Sequence, residues 1–207
     1  MGLYRLIKTI IDPIIALLGI VILSPVFVIA AILIKFSSQG PVIFKQERLG
    51  HALKPFTLYK FRTMVKNAEK LKKKYKHLDF TDGPVFKIED DPRFTKMGRY
   101  LARLNLDELP QLFNILIGNM YFVGYRPPTP DEVKQYKKWQ LERFKGYPGL
   151  TSLWAVSGMH SIKFNDWIKM DIDYAKNESL LLDLKVIGKT LFGFVERIGK
   201  LFGKEKD

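Results

Sequence analysis

The chain is 207 residues long, which is enough for one domain of ordinary size and a membrane-associated segment. It contains no cysteine, which excludes disulfides and thiolate metal sites. Its formal net charge of +13 favours an anionic partner, such as nucleic acid, an acidic membrane surface or a phosphate-bearing substrate. Because the chain carries one long apolar segment and none of the common nucleic-acid-binding signatures, the last two partners are favoured.

The apolar segment Ile14–Ile34 has 21 residues and no charged side chain. About 20 apolar residues suffice for a helix to cross a bilayer core of about 30 Å. Ser24 and Pro25 stand at the midpoint of the segment, and a proline removes one backbone hydrogen bond and kinks a helix. The Ser24 hydroxyl is able to bond the backbone carbonyl that Pro25 leaves free. Two interpretations stay open: a kinked span, and a helix–break–helix that enters and leaves through one face.

Both flanks of this segment are basic, with Arg5 and Lys8 before it and Lys35 after it. A straight span would place one basic flank outside, against the tendency of Lys and Arg to stay on the cytoplasmic side. A break at the midpoint would return both flanks to the same face. A break at the midpoint explains the two basic flanks, but from this segment alone a kinked span stays the simpler interpretation.

Beyond Lys35 the sequence predicts a mixed α/β domain in which helices predominate. Residues 40–64 predict two strands in a hairpin closed by Gly50–Pro55. A basic, exposed helix is expected over residues 65–78, and a loop over residues 79–94. A short helix is predicted over residues 95–106, and a second helix from about Asp107, with one apolar face formed by Leu109, Leu112, Phe113, Leu116 and Ile117.

A further helix should begin at a capping box of Thr129 and Glu132, with Pro130 at its first position. A turn and a short strand are expected within residues 146–158, and helices from Ile162 onward.

The C-terminal residues 186–206 mix Phe and Leu with Lys and Arg. This pattern is typical of an amphipathic helix that lies on a membrane surface. An ordinary surface helix packed on the core fits the same pattern, so both interpretations stay open.

Asp107 and Glu108 are the candidate catalytic residues. Acidic residues are common at helix N-termini because the macrodipole and free N–H groups favour them, so a helix cap is the simpler interpretation of the pair alone. The same environment would keep Asp107 ionised, and carboxylates serve as covalent nucleophiles in phosphoryl chemistry. An adjacent Glu108 is suited to hold Mg²⁺ against a diphosphate. Basic side chains, which suit phosphate oxygens, recur in the surrounding motifs: Arg48, Lys60, Arg62, Arg103 and Arg126.

The stretch LDELPQLFNILIGNMYFVGYRP, which runs from Leu106 to Pro127, resembles the signature of the bacterial sugar transferase family, the monotopic phosphoglycosyl transferases. The resemblance extends along nearly the whole chain. Further stretches in the family's order are SP in the apolar segment, QERLG, YKFRTM, DGPVFKIEDDPRFTKMGRYL, PGLT, WAVSG and DIDYAKNESLLLDL.

The resemblance implies transfer of a sugar 1-phosphate from a nucleoside diphosphate sugar, expected to be a UDP-sugar, to undecaprenyl phosphate. UMP would be released and synthesis of a glycan would begin. By this resemblance Asp107 is the nucleophile that forms a covalent intermediate, and Glu108 with Asp107 binds Mg²⁺. The substrate phosphates would be bound by the basic residues of the motifs: Arg126, Arg103, Lys60, Arg62 and Arg48.

The resemblance also implies a location. The family's small members have a re-entrant anchor broken at Ser-Pro, so we expect Ser24 and Pro25 to break a membrane hairpin over residues 1–36. Residues 37–207 would form a single α/β, mostly α, catalytic domain with surface helices, facing the cytoplasm at the bacterial inner membrane. Expected partners are the nucleoside diphosphate sugar, undecaprenyl phosphate, membrane phospholipid and a second copy of the chain, with no nucleic acid.

Three positions depart from the family pattern. Tyr125 replaces the proline of GPRP, which predicts a looser turn around Arg126, and Ser152 replaces a glycine of PGLTG. Met159 stands where an arginine is usual, which puts donor preference or activity in question. An alternative function is therefore a catalytically altered homologue that acts as a membrane scaffold or regulator. A nucleic-acid-binding domain tethered to the membrane is a third, supported by charge alone.

Overall fold

The computed structural model describes residues 3–158 and 161–202, a mostly helical α/β domain with a bent pair of helices at its N-terminal end. Short 3₁₀ turns connect several of its elements. In chain order the helices and strands are α1 (Leu3–Ile22), α2 (Ser24–Ser37), β1 (Ile43–Leu49), β2 (Pro55–Phe61), α3 (Ala68–Leu71), α4 (Lys96–Arg103), α5 (Gln111–Leu116), β3 (Tyr121–Val123), α6 (Pro130–Val133), β4 (Gly149–Thr151), α7 (Phe164–Asn177) and α8 (Leu180–Phe202).

The break between α1 and α2 lies at the predicted position. Pro25 has no N–H, so the carbonyl of Val21 lacks its helical partner, and the Ser24 hydroxyl donates a hydrogen bond to that carbonyl at 2.8 Å. In the part of the chain that the structure describes, no single helix has both the length and the hydropathy to cross a bilayer. Together α1 and α2 meet both criteria, with a bend of 63° between them.

The predicted hairpin is confirmed; α2 packs against β2, and α1 packs mainly against α5. β1 and β2 are antiparallel, with Gln46 opposite Leu58 and Ile43 opposite Phe61. Apolar side chains of the hairpin and of the helices pack together in two buried clusters, and these clusters form the core next to α1 and α2. The buried members are Ala16, Leu58, Leu112, Ile115 and Met120 in one cluster, and Ala30, Ile34, Phe61 and Leu101 in the other.

Two predicted helices are shorter than expected. The helix predicted over residues 65–78 is reduced to α3 and a 3₁₀ turn over Lys76–Leu78. Its many lysines repel one another at helical spacing, and its few apolar side chains, Ala68, Leu71 and Tyr75, are only half-buried. The helix beginning at the capping box of Thr129 and Glu132 is also short, although both hydrogen bonds of the box are present. It ends after α6 and continues as 3₁₀ turns over Lys138–Lys145.

The helix predicted to start near Asp107 begins later, at Gln111. A continuous α-helix from Asp107 would require the residue at position 110 to donate to the carbonyl of Leu106, and Pro110 has no N–H. The chain instead forms a 3₁₀ turn over Leu106–Glu108, in which Leu109 N donates to Leu106 O at 3.2 Å. Asp107 therefore does not cap α5, whose N-cap is Pro110, but it lies in the first turn of the 3₁₀ segment that precedes it.

Strand β3 was not predicted, whereas the short strand within 146–158 is confirmed as β4. The two strands are parallel, with Tyr121 opposite Gly149. They approach closely, because a Cβ on Gly149 would lie 2.0 Å from the backbone nitrogen of Gly124. Two glycines therefore bring β4 against the end of β3, just before Arg126.

The predicted C-terminal helices are α7 and α8. Helix α8 begins at Leu180, earlier than the predicted amphipathic segment, and buries Asp183 and Val186 against the body. Its other side exposes Leu191, Phe192 and Val195. One face thus packs on the core as in the second interpretation, while an apolar face is left outward.

Candidate active site

The predicted catalytic pair lies beside a lysine of the hairpin. Asn105, in the left-handed conformation with φ 54°, leads into the 3₁₀ turn that carries Asp107 and Glu108. Lys60, on β2, donates to Glu108 Oε1 at 2.5 Å and lies 3.8 Å from Asp107 Oδ2. One ammonium group therefore contacts two adjacent carboxylates, while the predicted role of Lys60 in binding phosphate stays a prediction.

The two carboxylates differ in acidity. Burial raises the pKa of Asp107 to about 6; Lys60 opposes this rise and the charge of Glu108 adds to it. Burial also disfavours the charge of Glu108, but Lys60, Arg126 and Arg48 together lower its pKa below the usual value. At neutral pH Glu108 is ionised, and Asp107 is ionised in most molecules, with a basicity well above that of an ordinary aspartate.

Arg48 and Arg126 supply further positive charge. The buried Arg48, on β1, donates to Pro127 O at 2.9 Å, so it supports the turn that carries Arg126. Burial and the nearby charge of Arg126 lower the pKa of Arg48 to about 10. Two guanidinium groups held this close favour an anion between or beside them.

The turn around Arg126 is held by contacts of Tyr125, and the expectation that Tyr125 makes it looser than the usual proline stays a prediction. Tyr125 N donates to Tyr147 O at 3.1 Å, a hydrogen bond that the family's usual proline is unable to form. Its ring is buried and meets Phe144 edge to face at 5.5 Å between centroids. Tyr125 replaces the stiffness of a proline with a backbone hydrogen bond and ring packing.

A buried ion pair, not predicted from the sequence, supports the same turn. Arg143 Nη2 donates to Arg126 O at 3.0 Å and to Asp171 Oδ2 at 2.6 Å. The Arg143 guanidinium also lies over the ring of Tyr125, 4.9 Å from its centroid. Neither residue stood out in the sequence, because an Arg and an Asp 28 positions apart carry no periodic signal.

The other two predicted phosphate-binding arginines lie in different surroundings. Arg103 is exposed at the end of α4 and borders the same cleft as Asp107. Arg62 is buried, and its Nη2 donates to the carbonyl and hydroxyl of Ser38, at 2.7 and 2.9 Å, where α2 ends. Arg62 therefore caps the C-terminal end of α2.

Lys87 is a further cation at the site, and the sequence interpretation did not single it out. It borders the cleft, and its pKa is lowered by burial and by the charges of Arg126 and Lys60, while Glu108 opposes the shift. Its loop is fixed by Asp79, whose Oδ1 accepts from Lys87 N at 3.1 Å. Lys87 lies in the stretch DGPVFKIEDDPRF, which resembles the family, and this resemblance is the feature of the sequence that points to Lys87 as a site residue.

Asp107, Glu108, Lys60, Lys87 and Arg126 border one cleft of about 2210 Å³. Within residues 3–158 and 161–202, no group of three or more His, Cys, Asp or Glu side chains is arranged to hold a metal ion. Two adjacent carboxylates nevertheless fit Mg²⁺, which binds through one or two carboxylates and takes its remaining ligands from water and substrate phosphates.

Two departures from the family pattern remain. Ser152 is buried, and its hydroxyl accepts a hydrogen bond from Ala155 N at 3.1 Å at the start of a 3₁₀ turn. The serine thus stabilises that turn locally. Met159 lies outside the described residues, and its predicted influence on donor preference stays a prediction.

Fold and site together define a class: an α/β domain with a bent pair of apolar helices and a carboxylate pair set among cations at a large cleft. The chain belongs to the bacterial sugar transferase family, whose sequence model matches residues 3–197. This agrees with the resemblance noted in the LDELPQL stretch.

Three relatives illustrate the similarity. The chain is 43% identical over 153 residues to the galactosyl transferase CpsE of Streptococcus agalactiae, which covers 73% of this chain and 34% of that protein. It is 37% identical over 188 residues to the exopolysaccharide production protein ExoY of Sinorhizobium fredii, with 87% and 81% covered. It is 34% identical over 205 residues to the UDP-glucose:undecaprenyl-phosphate glucose-1-phosphate transferase of Escherichia coli, with 95% and 42% covered. The chain thus spans most of ExoY but well under half of the other two proteins.

Proposed function

We propose that this protein transfers a sugar 1-phosphate from a UDP-sugar to undecaprenyl phosphate and so begins the synthesis of a cell-surface polysaccharide. The observation that carries the proposal is the Asp107–Glu108 pair, held by Lys60 and set near Arg48, Lys87 and Arg126 at one cleft. Membership of the bacterial sugar transferase family, and similarity to the UDP-glucose:undecaprenyl-phosphate glucose-1-phosphate transferase of Escherichia coli, support the same reaction class.

In the first step, an oxygen of Asp107 attacks the β-phosphorus of the UDP-sugar. A phosphorus–oxygen bond forms to Asp107, the bond from this phosphorus to the bridging oxygen breaks, and UMP leaves with that oxygen. In the second step, a phosphate oxygen of undecaprenyl phosphate attacks the same phosphorus and releases Asp107. A carboxylate with a pKa of about 6 suits this role, because it is ionised at neutral pH and more basic than an ordinary aspartate.

The cations around the pair have a defined part in both steps. Arg126, Arg48, Lys60 and Lys87 offset the negative charge that phosphate brings towards two carboxylates. Asp107 and Glu108 would hold Mg²⁺, which would supply further charge neutralisation when bound. Lys60 would keep Glu108 ionised and correctly placed.

We also propose that α1 and α2 form a re-entrant anchor in one leaflet, with both ends on the cytoplasmic side. Many large apolar side chains are exposed along both helices, which suits lipid contact. At the start of α1, Arg5 Nε donates to Glu178 Oε1 at 2.5 Å, and Arg62 ties the end of α2 to β2. The contact of both ends with the same folded body supports a topology in which they lie on one side of the bilayer.

The reaction is tested with detergent-solubilised full-length protein, undecaprenyl phosphate and a panel of UDP-hexoses that includes UDP-galactose and UDP-glucose. We expect UMP release with at least one donor. When the lipid acceptor is withheld, we expect one equivalent of UMP and a sugar-phosphate adduct on Asp107, detected by mass spectrometry of the protein. Release of nucleotide without any adduct would favour direct transfer between the two substrates. An intact, folded protein that is inactive with every donor would favour the alternative scaffold function.

The topology is tested by single cysteines, which are unique labels because the chain has none. Leu3→Cys and Lys200→Cys should both resist a membrane-impermeant thiol reagent in intact cells and react after lysis. Labelling of Leu3→Cys in intact cells would contradict a re-entrant anchor and favour a kinked span.

A further inference from the structure

Helix α1 supplies hydrogen bonds to the backbone of β3. Asp12 Oδ2 accepts from Phe122 N at 2.9 Å, and Lys8 Nζ donates to Val123 O at 2.8 Å. Asp12 and Lys8 are four residues apart and so lie on one face of α1, one turn from each other. The helix therefore offers β3 an acceptor and a donor, in addition to the pairing of β3 with β4.

The ammonium group of Lys8 is buried and fully satisfied. Its three donors have three acceptors: Val123 O at 2.8 Å, the Tyr174 hydroxyl at 2.8 Å and Asp183 Oδ2 at 2.6 Å. Asp183 in turn accepts from the hydroxyl of Tyr4 at 2.7 Å and from that of Tyr174 at 2.5 Å. The lysine interpreted from sequence as a basic flank of the membrane segment is thus the centre of a buried network.

Burying a charge costs free energy, so an apolar side chain would fasten a helix to the body at least as well. The charged network instead fixes the orientation of α1, because its hydrogen bonds form at only one rotation of the helix about its axis and one position along that axis. Strand β3 continues within three residues into Arg126, whose charge acts on Glu108. The bent helices and the phosphate-binding turn are thereby connected through β3.

We propose that Lys8 and Asp12 are positioning residues, which fix β3 from the side of α1 and so hold Arg126 in place beside Asp107 and Glu108. The catalytic consequence rests on the proposed transferase function, whereas the coupling of α1 to β3 does not. In the membrane, the same contacts would set the depth of the site relative to α1 and α2.

The test uses the full-length protein in detergent and two variants of this network. Lys8→Met/Asp183→Asn removes both charges together, so folding is retained better than in Lys8→Met, which strands Asp183. Asp12→Ala removes the acceptor for Phe122 N, whereas Asp12→Asn keeps a carbonyl oxygen there. Lys35→Met is the matched control, because it removes an exposed lysine from α2.

Two measurements separate positioning from stability. In Lys8→Met/Asp183→Asn and Asp12→Ala we expect the KM for the UDP-sugar to rise about tenfold with a smaller change in kcat, since Arg126 binds phosphate before and during the reaction. Amide hydrogen exchange of residues 121–127 should become about tenfold faster, while peptides remote from β3 exchange at the wild-type rate. Asp12→Asn should restore both values, and Lys35→Met should match the wild type.

The inference is overturned if both variants keep wild-type KM and wild-type exchange over residues 121–127, or if Asp12→Asn is as impaired as Asp12→Ala. A global loss of protection in all peptides would also contradict it, because that result would show a purely structural role. If the wild type releases no nucleotide from any donor, the proposed function fails, and the exchange measurement alone decides the coupling of α1 to β3.

Discussion

Two groups of paired cations and carboxylates interact with Arg126, and they are built differently. In the first, the side chains of Lys60, Asp107 and Glu108 keep 24%, 13% and 32% of their exposure. In the second, Arg143 and Asp171 keep 0% and 2%. The same chemical types thus form an accessible group at the cleft and a sealed group behind it.

The groups also differ in charge balance. Arg143 and Asp171 match one to one, and the aromatic rings of Tyr125, Tyr136 and Trp167 surround the guanidinium. At the cleft, Lys60, Arg126 and Arg48 all act on Glu108, although Arg48 also pairs with Glu132, so positive charge converges on the Asp107–Glu108 pair. Access and converging positive charge, rather than the presence of an ion pair, distinguish a site for phosphate chemistry from a structural support.

The largest expected effect is that of Asp107→Asn. Asparagine has nearly the same shape but lacks the anionic oxygen, so kcat for UMP release should fall by about 10³ or more while the melting temperature stays close to that of the wild type. Asp171→Asn is the matched control, with the same chemical change at the sealed group. It should lower the melting temperature while the folded fraction keeps most of its turnover. Wild-type turnover in a folded Asp107→Asn protein would assign the nucleophile elsewhere.

Arg143→Met should have the largest effect on stability. It leaves Asp171 buried without its cation, and such losses cost about 3–5 kcal/mol of the free energy of unfolding. Arg143→Met/Asp171→Leu removes both charges and should recover most of that loss in denaturant titrations. A single variant as stable as the wild type would show that the sealed group does not support the fold.

The pH dependence should distinguish the groups more finely. Asp107 must be ionised to attack. When the Mg²⁺ concentration is low, kcat/KM should therefore fall as the pH drops through about 6, which is the pKa of this carboxyl. Glu108→Gln removes a negative neighbour and should move the midpoint to lower pH, and Lys60→Met should move it higher, each by about one unit. The pH–rate profile of the residual activity in each variant measures these shifts. Shifts of the same sign in both variants would contradict the electrostatic origin of the pKa.

The smallest expected effect is that of Ser152→Gly, which restores the family's usual residue. The hydroxyl bond to Ala155 N is lost, and replacing a capping side chain by glycine costs only a few tenths of a kcal/mol. Turnover should equal that of the wild type, which gives a baseline for the comparison. A marked change in kcat would mean that this turn contributes to the site.

Local signals in the sequence determined several features. The break after α1 follows from a missing N–H at Pro25 and a hydroxyl at Ser24, both next to the residues that they affect. The hairpin and the capping box of Thr129 and Glu132 are likewise set by residues a few positions apart. The Asp107–Glu108 pair was identified by its motif, which a family resemblance carries without any knowledge of the fold.

Tertiary structure decided which charges belong together. Lys8 meets Val123 across 115 positions, and Arg62 caps a helix 24 positions away, so neither role leaves a trace in periodicity. The same holds for Arg143 and Lys87, whose chemical type matches the surface lysines and arginines around them. A side chain's role depends on which groups desolvate it and which charges face it, and distant segments bring these together only when the chain folds.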